Sequence, residues 1–309
     1  IDSNVFALAQ QDIIWHSVAP LIRHVEGKVM RGINIVEFAG NSLATITHDV
    51  KALCKQLDKA VASEKEGVIG YQWCDNLSDI NKIYAMRKKA VGLLGNVAGD
   101  AKPIPFVEDT CVPPHALANY ITDFRALLDS YGLSYGMFGH VDTGVLHVRP
   151  ALDMTDPHDE QLVSTITERI VELTLNYGGL LWGEHGKGVR GAYGEAYFGS
   201  ELFTELRLIK TAFDAENRFN PGKICTPITS DAELYPITSP TRGARDRTIP
   251  VTTRHHYRGP LSCNGNGLCF NFDEKSPMCP SMKVSGNRLY SPKGRAILLR
   301  EWLRLLHKE

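Results

Sequence analysis

Apolar positions along the first hundred residues form short continuous runs that alternate with stripes of helical period. GKVMRGINIVEFAG (27–40) is nearly unbroken in apolar character and reads as a central strand. Thr47, His48 and Asp49 open the helical pattern VKALCKQLDKAVASEKE, VIGYQWC (68–74) reads as another strand, and LSDINKIYAMRKKAVGLL (77–94) as a second helix. The pattern then partly returns. PPHALANYITDFRALLDSYG (113–132) has proline near its start and Gly132 as a C-cap. LSYGMFGH and GVLHVRP read as strands, DEQLVSTITERIVELTLNYGG as a long helix, and SELFTELRLIKTAFDAENRF as a further helix stopped by NPGK. Alternating strands and helices predict an α+β domain in which helices cover an antiparallel, ferredoxin-like sheet.

This patterning stops near residue 225. Residues 226–260, heavy in Pro, Thr, Ser and Arg, read as a linker, and 261–309 as a short cysteine-bearing segment that closes on the helical pattern REWLRLLHKE. The opening IDSNVF and this helical close read as the limits of a piece excised from something larger. Apolar content of 43% supports a real core, and a formal charge of −1 offers no long-range field for nucleic acid. Basic residues gather from Arg242 to Arg258, which reads either as a solvated linker or as a docking surface. Seven cysteines, an odd number, fit a reducing, cytoplasmic compartment better than a secreted disulfide scaffold. No signal peptide and no apolar run of the roughly 20 residues that span a bilayer is present, so membrane association is expected at the periphery only.

Candidate chemistry begins with GHVDTGVLHV (139–148), where two histidines flank an Asp-Thr-Gly turn. A turn centred on Thr143-Gly144 places His140 opposite His147, and opposed residues of an antiparallel pair share a face. Two imidazoles so placed can converge on one ion, or stand as two hydrogen-bonded sheet residues. GGLLWGEHGKGVRGAYGE (178–195) holds seven glycines and leaves Glu184 and His185 outside any regular helix. It reads either as a flexible surface loop or as the source of a carboxylate, Glu184, that joins the histidines. Two imidazoles and one carboxylate with an open position form the ligand set of a catalytic divalent ion.

These phrases also carry a resemblance. GHVDTGVLH followed by GEHGKG, and then by Asn220-Pro221-Gly222-Lys223, resembles the signatures of the C-terminal domain of FAD-linked oxidases, over roughly residues 1–225. Members of that family include D-lactate dehydrogenases, the glycolate oxidase flavoprotein subunit and D-2-hydroxyglutarate dehydrogenases, and the whole chain is most similar in wording to the bacterial fused FAD/4Fe–4S type. The hairpin departs from the family phrase GHxGDGNxH, with Asp142 one place earlier and Thr143, Gly144 and Val145 after it. VEDTCVPP (107–114) also resembles a family phrase, with Glu108 and Asp109 expected to be structural.

The resemblance implies roles. His140, His147 and Glu184 would hold a divalent ion, zinc or alternatively manganese, and His185 would accept the proton of a substrate 2-hydroxyl. Arg87 and Lys102 resemble the pair that holds the substrate carboxylates, which favours a diacid such as D-2-hydroxyglutarate, with D-lactate or glycolate as alternatives. Asn220, Glu184, His185 and the rest of the 183–188 loop would complete the wall of a site for FAD, most of which belongs to an N-terminal domain outside these 309 residues. Such a fragment is expected to be inactive alone. No GxGxxG lies between a strand and a helix, so a Rossmann site has no support.

CNGNGLCFNFDEKSPMCP contributes Cys263, Cys269 and Cys279, with Pro280 after the last. The C-P ending suits an iron–sulfur ligand segment, although gaps of five and nine differ from the usual bacterial run. Zinc and a metal-free thiol turn remain readings of the same spacing. The following SPKGRAILLREWL resembles the start of a 4Fe–4S region in the fused enzymes, whose fourth cysteine would lie beyond Glu309. The expected partners are then a 2-hydroxy acid, the remainder of the same polypeptide and an electron acceptor left unidentified. A zinc hydrolase or a non-enzymatic metal-binding assembly module would explain the same ligands without a flavin.

Overall fold

The computed structural model describes residues 1–22, 24–63, 67–96, 99–186, 188–274 and 276–308. It falls into two compact units, Ile1–Ala151 with Ile170–Glu184, and Leu152–Arg169 with His185–Glu309. The first carries helices α1 (Ser3–Gln11), α2 (Trp15–Val18), α3 (Leu43–Ser63), α4 (Leu77–Leu93) and α5 (Leu117–Ser130). Its strands are β1 (Lys102–Pro103), β2 (Thr110–Cys111), β3 (Tyr135–His140) and β4 (Val145–Leu152), and the end of α6 (Pro157–Asn176) belongs to it as well.

Packing of this unit follows from helical spacing. The Asp2 carboxylate accepts from Val5 N at 3.0 Å and so starts α1, which turns Val5, Phe6 and Ala9 inward. Val5 and Ala9 form one fully buried cluster with Val18 of α2, Met86 and Ala90 of α4 and the adjoining Leu94. Each large apolar side chain buried there contributes about 1.5–3 kcal/mol relative to exposure. On α5, Leu117, Tyr120, Phe124 and Leu128 recur at helical intervals and are all buried. The Tyr120 hydroxyl and Thr174 Oγ1 of α6 satisfy one another at 2.8 Å, which removes the cost of burying both.

β4 organises the sheet. It is hydrogen-bonded to all three other strands and runs antiparallel to β2 and β3. Val145, Leu146, His147 and Val148 are consecutive and all buried, so both faces of this strand are covered. The antiparallel sheet with surrounding helices is the α+β architecture expected from the sequence.

Two expected strands do not form. Residues 27–40 were expected to be a central strand, yet none of them is buried and no ladder forms there among the described residues. Ile1 and Ile33 exchange one pair of backbone hydrogen bonds, at 3.2 and 3.1 Å, and the pairing goes no further. Residues 68–74 likewise form no strand. An apolar run reports a tendency towards burial, whereas a strand also needs a neighbour for its N–H and C=O groups. The helix expected from residue 50 begins earlier, at Leu43, and positions 64–66 of that pattern lie outside the described residues.

In the second unit, α7 (Gly194–Asp214) stops short of the expected Phe219. The reason is Asp214 itself, whose carboxylate accepts from Lys210 at 2.5 Å and from the N–H groups of Arg218 and Phe219 at 2.8 Å each. Burial works to raise the Asp214 pKa, but these three donors outweigh it and bring it down to about 2. The stretch 226–260, read as a linker, carries three short helices, α8 (Arg242–Asp246), α9 (Val251–His256) and α10 (Arg258–Leu261), with Ile249 fully buried. After α11 (Pro280–Ser285), Ser291 caps α12 (Pro292–Leu306) by accepting from Gly294 N at 3.0 Å. No helix among the described residues is long and apolar enough to cross a membrane.

Candidate metal centre

The first two candidate ligands come from the β3–β4 hairpin. Its register pairs His140 with Val145 and Phe138 with His147, so the turn takes in Val141 to Gly144 rather than two central residues. The expected direct opposition of His140 and His147 is therefore corrected to a diagonal one, offset by two. Side chains alternate with period two along a strand, so an even offset keeps both imidazoles on one face. Their ring centroids lie 5.8 Å apart at 87°.

Gly144 makes the longer turn feasible. It sits at φ +75°, and a Cβ there would lie 1.8 Å from the Val112 carbonyl oxygen. Its own carbonyl accepts from Val112 N at 3.1 Å, tying the hairpin to the chain after β2. Gly144→Ala is expected to destabilise the protein by more than about 1 kcal/mol from backbone conformation alone. Denaturant unfolding of the variant measures this, and an unchanged midpoint would mean the turn is not held as described.

Glu184 reaches the histidines through an anchored loop. Leu181 and Trp182 are buried, and Cys111 and Leu180 exchange backbone bonds at 2.8 and 2.6 Å. Gly183 N donates to the Asp109 carbonyl at 2.8 Å, and Glu184 N to Asp109 Oδ1 at 3.0 Å. The glutamate side chain is then set so that Oε1 lies 2.8 Å from His147 Nε2 and 3.2 Å from His140 Nε2. Ligand atoms around one tetrahedral zinc are roughly 3.4 Å apart, given metal–ligand bonds near 2.1 Å. Each imidazole stands at close to that distance from Glu184 Oε1.

Asp109 and Glu108, expected to be structural, are both buried next to these side chains. Asp109 is completely buried at φ +73°, a left-handed conformation that costs a non-glycine residue about 1–2 kcal/mol. Its carboxylate and the ligand atoms of His147 and Glu184 lie within 4.8 Å of one another. Glu108 is buried too, takes a two-pronged contact from Arg149 at 2.6 and 3.0 Å, and lies 3.6 Å from His147 Nδ1. At 3.6 Å this last contact is longer than a hydrogen bond, so Glu108 acts on the His147 ring by its charge. Spacing could not reveal either residue, because Asp109 and Glu184 are 75 positions apart.

The other expected site residues are distributed as follows. His185, next after Glu184, is exposed and begins the second unit. Arg87 is half-buried on α4 and Lys102 half-buried at the start of β1, on elements other than those carrying the metal ligands. Asn220 is exposed in the second unit at φ +47°, and Lys187 of the 183–188 loop lies outside the described residues. Cys263, Cys269 and Cys279 are half-buried free thiols that do not gather into a ligand group among the described residues. Cys269 Sγ accepts from Lys293 N at 3.4 Å, and Cys279 Sγ donates to the Tyr290 carbonyl at 3.3 Å.

The hairpin and the adjoining loop bring two histidines to one carboxylate with Asp109 beside them, a donor set suited to a divalent ion. Residues 1–224 match the family FAD linked oxidases, C-terminal domain, and the chain belongs to that family. The chain is 62% identical over its whole length to a D-2-hydroxyglutarate dehydrogenase of Pantoea ananatis, and 62% identical over 306 residues to one of Escherichia coli. It covers 30% of each of those two relatives. A glycolate oxidase subunit of Bacillus subtilis is 27% identical over 176 residues, 57% of this chain and 35% of that protein.

Proposed function

We propose that this chain is the substrate-side part of a flavin-dependent dehydrogenase that oxidises a D-2-hydroxy acid, D-2-hydroxyglutarate, to its 2-oxo acid. The observation that carries this is the meeting of His140 and His147 at one oxygen of Glu184, with Asp109 buried alongside. Two imidazoles with carboxylates suit zinc or manganese, so the donor set fits the ion. The names of the two enterobacterial relatives support the substrate.

In this reading His140, His147 and Glu184 hold the ion, Asp109 tethers Glu184, and Glu108, held by Arg149, places a carboxylate behind the His147 ring. His185 takes the proton of the 2-hydroxyl as the C2 hydrogen departs with its electron pair. Arg87 and Lys102 grip the distal and proximal carboxylates, and the guanidinium fork of Arg87 favours a diacid. When bound, a divalent ion supplies Lewis acidity that favours loss of the hydroxyl proton, and FAD supplies the hydride acceptor. Asn220 and the 183–188 loop form part of the wall against the flavin, whose main site belongs to another part of a longer polypeptide.

The domain boundary near residue 225 and the segment 261–309 belong to the same proposal. Cys263, Cys269 and Cys279 would join an iron–sulfur region with a further ligand from elsewhere in that polypeptide, on the way to an electron acceptor. Their present separation means that no electron step is routed through them here.

The test is a panel of 2-hydroxy acids on the full-length protein with an artificial electron acceptor. D-2-hydroxyglutarate is expected to give the highest kcat/KM. Preference for D-lactate or glycolate would remove the substrate assignment and leave the metal chemistry standing, and hydrolysis without flavin reduction would remove the enzyme class.

A further inference from the structure

The basic stretch beginning at Arg242 plays no part in the dehydrogenase reading, yet it lines a cavity of about 300 Å³ in the second unit. Arg242 and Arg245 stand three apart on α8, and Arg300 and Arg304 four apart on α12, so each pair shares one face of its helix. All four side chains line the cavity, together with Glu301 and Ile297.

The carboxylates nearby do not balance these charges. Asp246 Oδ1 accepts from Arg304 at 2.6 and 3.1 Å and its Oδ2 lies 3.0 Å from Arg300 Nε, while Glu301 takes the remaining arm of Arg304 at 3.2 Å. Each of the three Arg304 nitrogens is thereby engaged. Arg300 is only 3% exposed and also donates through Nη2 to the Leu261 carbonyl, but its buried Nη1 has no hydrogen-bond partner among the described residues. Arg242 and Arg245 are exposed and form no ion pair with a carboxylate among the described residues. Burial, and then the charge of Arg242, lower the Arg300 pKa from its usual value, against the opposing pull of Asp246. A buried N–H without an acceptor is costly, and a structural ion pair with Asp246 would not require Arg242 and Arg245 to line the same space.

We infer that this cavity binds a small phosphate-bearing anion, with Arg242 and Arg245 as its donors and the charge of the buried Arg300 guanidinium behind them. A phosphoryl group offers three acceptor oxygens and up to two charges, against two oxygens and one charge for a carboxylate, and so matches three separate guanidinium groups better. The volume lies at the lower end for small-molecule sites, enough for a pyrophosphate or the phosphate end of a nucleotide.

Calorimetric titration of the full-length protein with inorganic pyrophosphate, at fixed ionic strength, tests this. Saturable binding at one site per chain is expected, weakened roughly tenfold or more by Arg242→Gln or Arg245→Gln. Both residues are exposed, so unchanged thermal unfolding of the variants separates lost binding from lost structure. Parallel titrations with phosphate and ATP distinguish an inorganic ligand from a nucleotide, and either one supports the site if the same two variants weaken it. Absence of saturable binding, or affinity unchanged in the double variant R242Q/R245Q, would overturn the inference.

Discussion

Glu184→Gln in the full-length protein is expected to lower kcat/KM for D-2-hydroxyglutarate about a thousandfold or more, since metal assistance supplies several kcal/mol to such steps. The amide keeps the shape of the carboxylate and an acceptor oxygen, but not the charge that sits 2.8 Å from His147 and 3.2 Å from His140. The Glu184 side chain is 40% exposed, and the loop is held by backbone bonds from Gly183 and Glu184 to Asp109. Folding should therefore survive the substitution while turnover does not. Steady-state kinetics with an artificial acceptor, beside an unfolding curve, make the comparison. Near-normal kcat/KM in a folded variant would show that Glu184 is only a hydrogen-bond partner of the hairpin.

The second large effect is expected at His185. A general base contributes about 10²–10⁴-fold, so His185→Asn should lower kcat by that range, with KM and bound metal nearly unchanged. This split distinguishes the proton acceptor from the ligands, because loss of Glu184 is expected to remove metal and turnover together. His185 is exposed, so its replacement leaves no buried cavity to confuse the result. Loss of metal in His185→Asn would instead make it a fourth ligand and require another base.

Much of this was legible in the chain. The helices around 77–94 and 113–132 announced themselves by apolar positions at helical intervals, and α4 and α5 lie where that periodicity puts them. The histidine hairpin and Glu184 were also legible, because an acid and imidazoles next to glycines are unusual for plain structure. What failed depended on distant partners. Residues 27–40 have the composition of a strand but only Ile33 pairs with Ile1, and β1 and β2 are two residues long, too short for any periodic signal. The hairpin register moved by two because a four-residue turn and a two-residue turn use the same Asp-Thr-Gly letters. The nearness of Asp109 to Glu184 was hidden for a related reason. Its left-handed backbone and its bond to Glu184 exist only once chain segments 75 positions apart have met.

The most direct check on the centre is its metal content. Elemental analysis of the full-length protein is expected to find one divalent ion per chain at this site, and to find it gone from both His140→Ala and Glu184→Ala. Unchanged stoichiometry in those two variants would contradict the account, since the hairpin and the glycine-rich loop would then be meeting for reasons of packing alone.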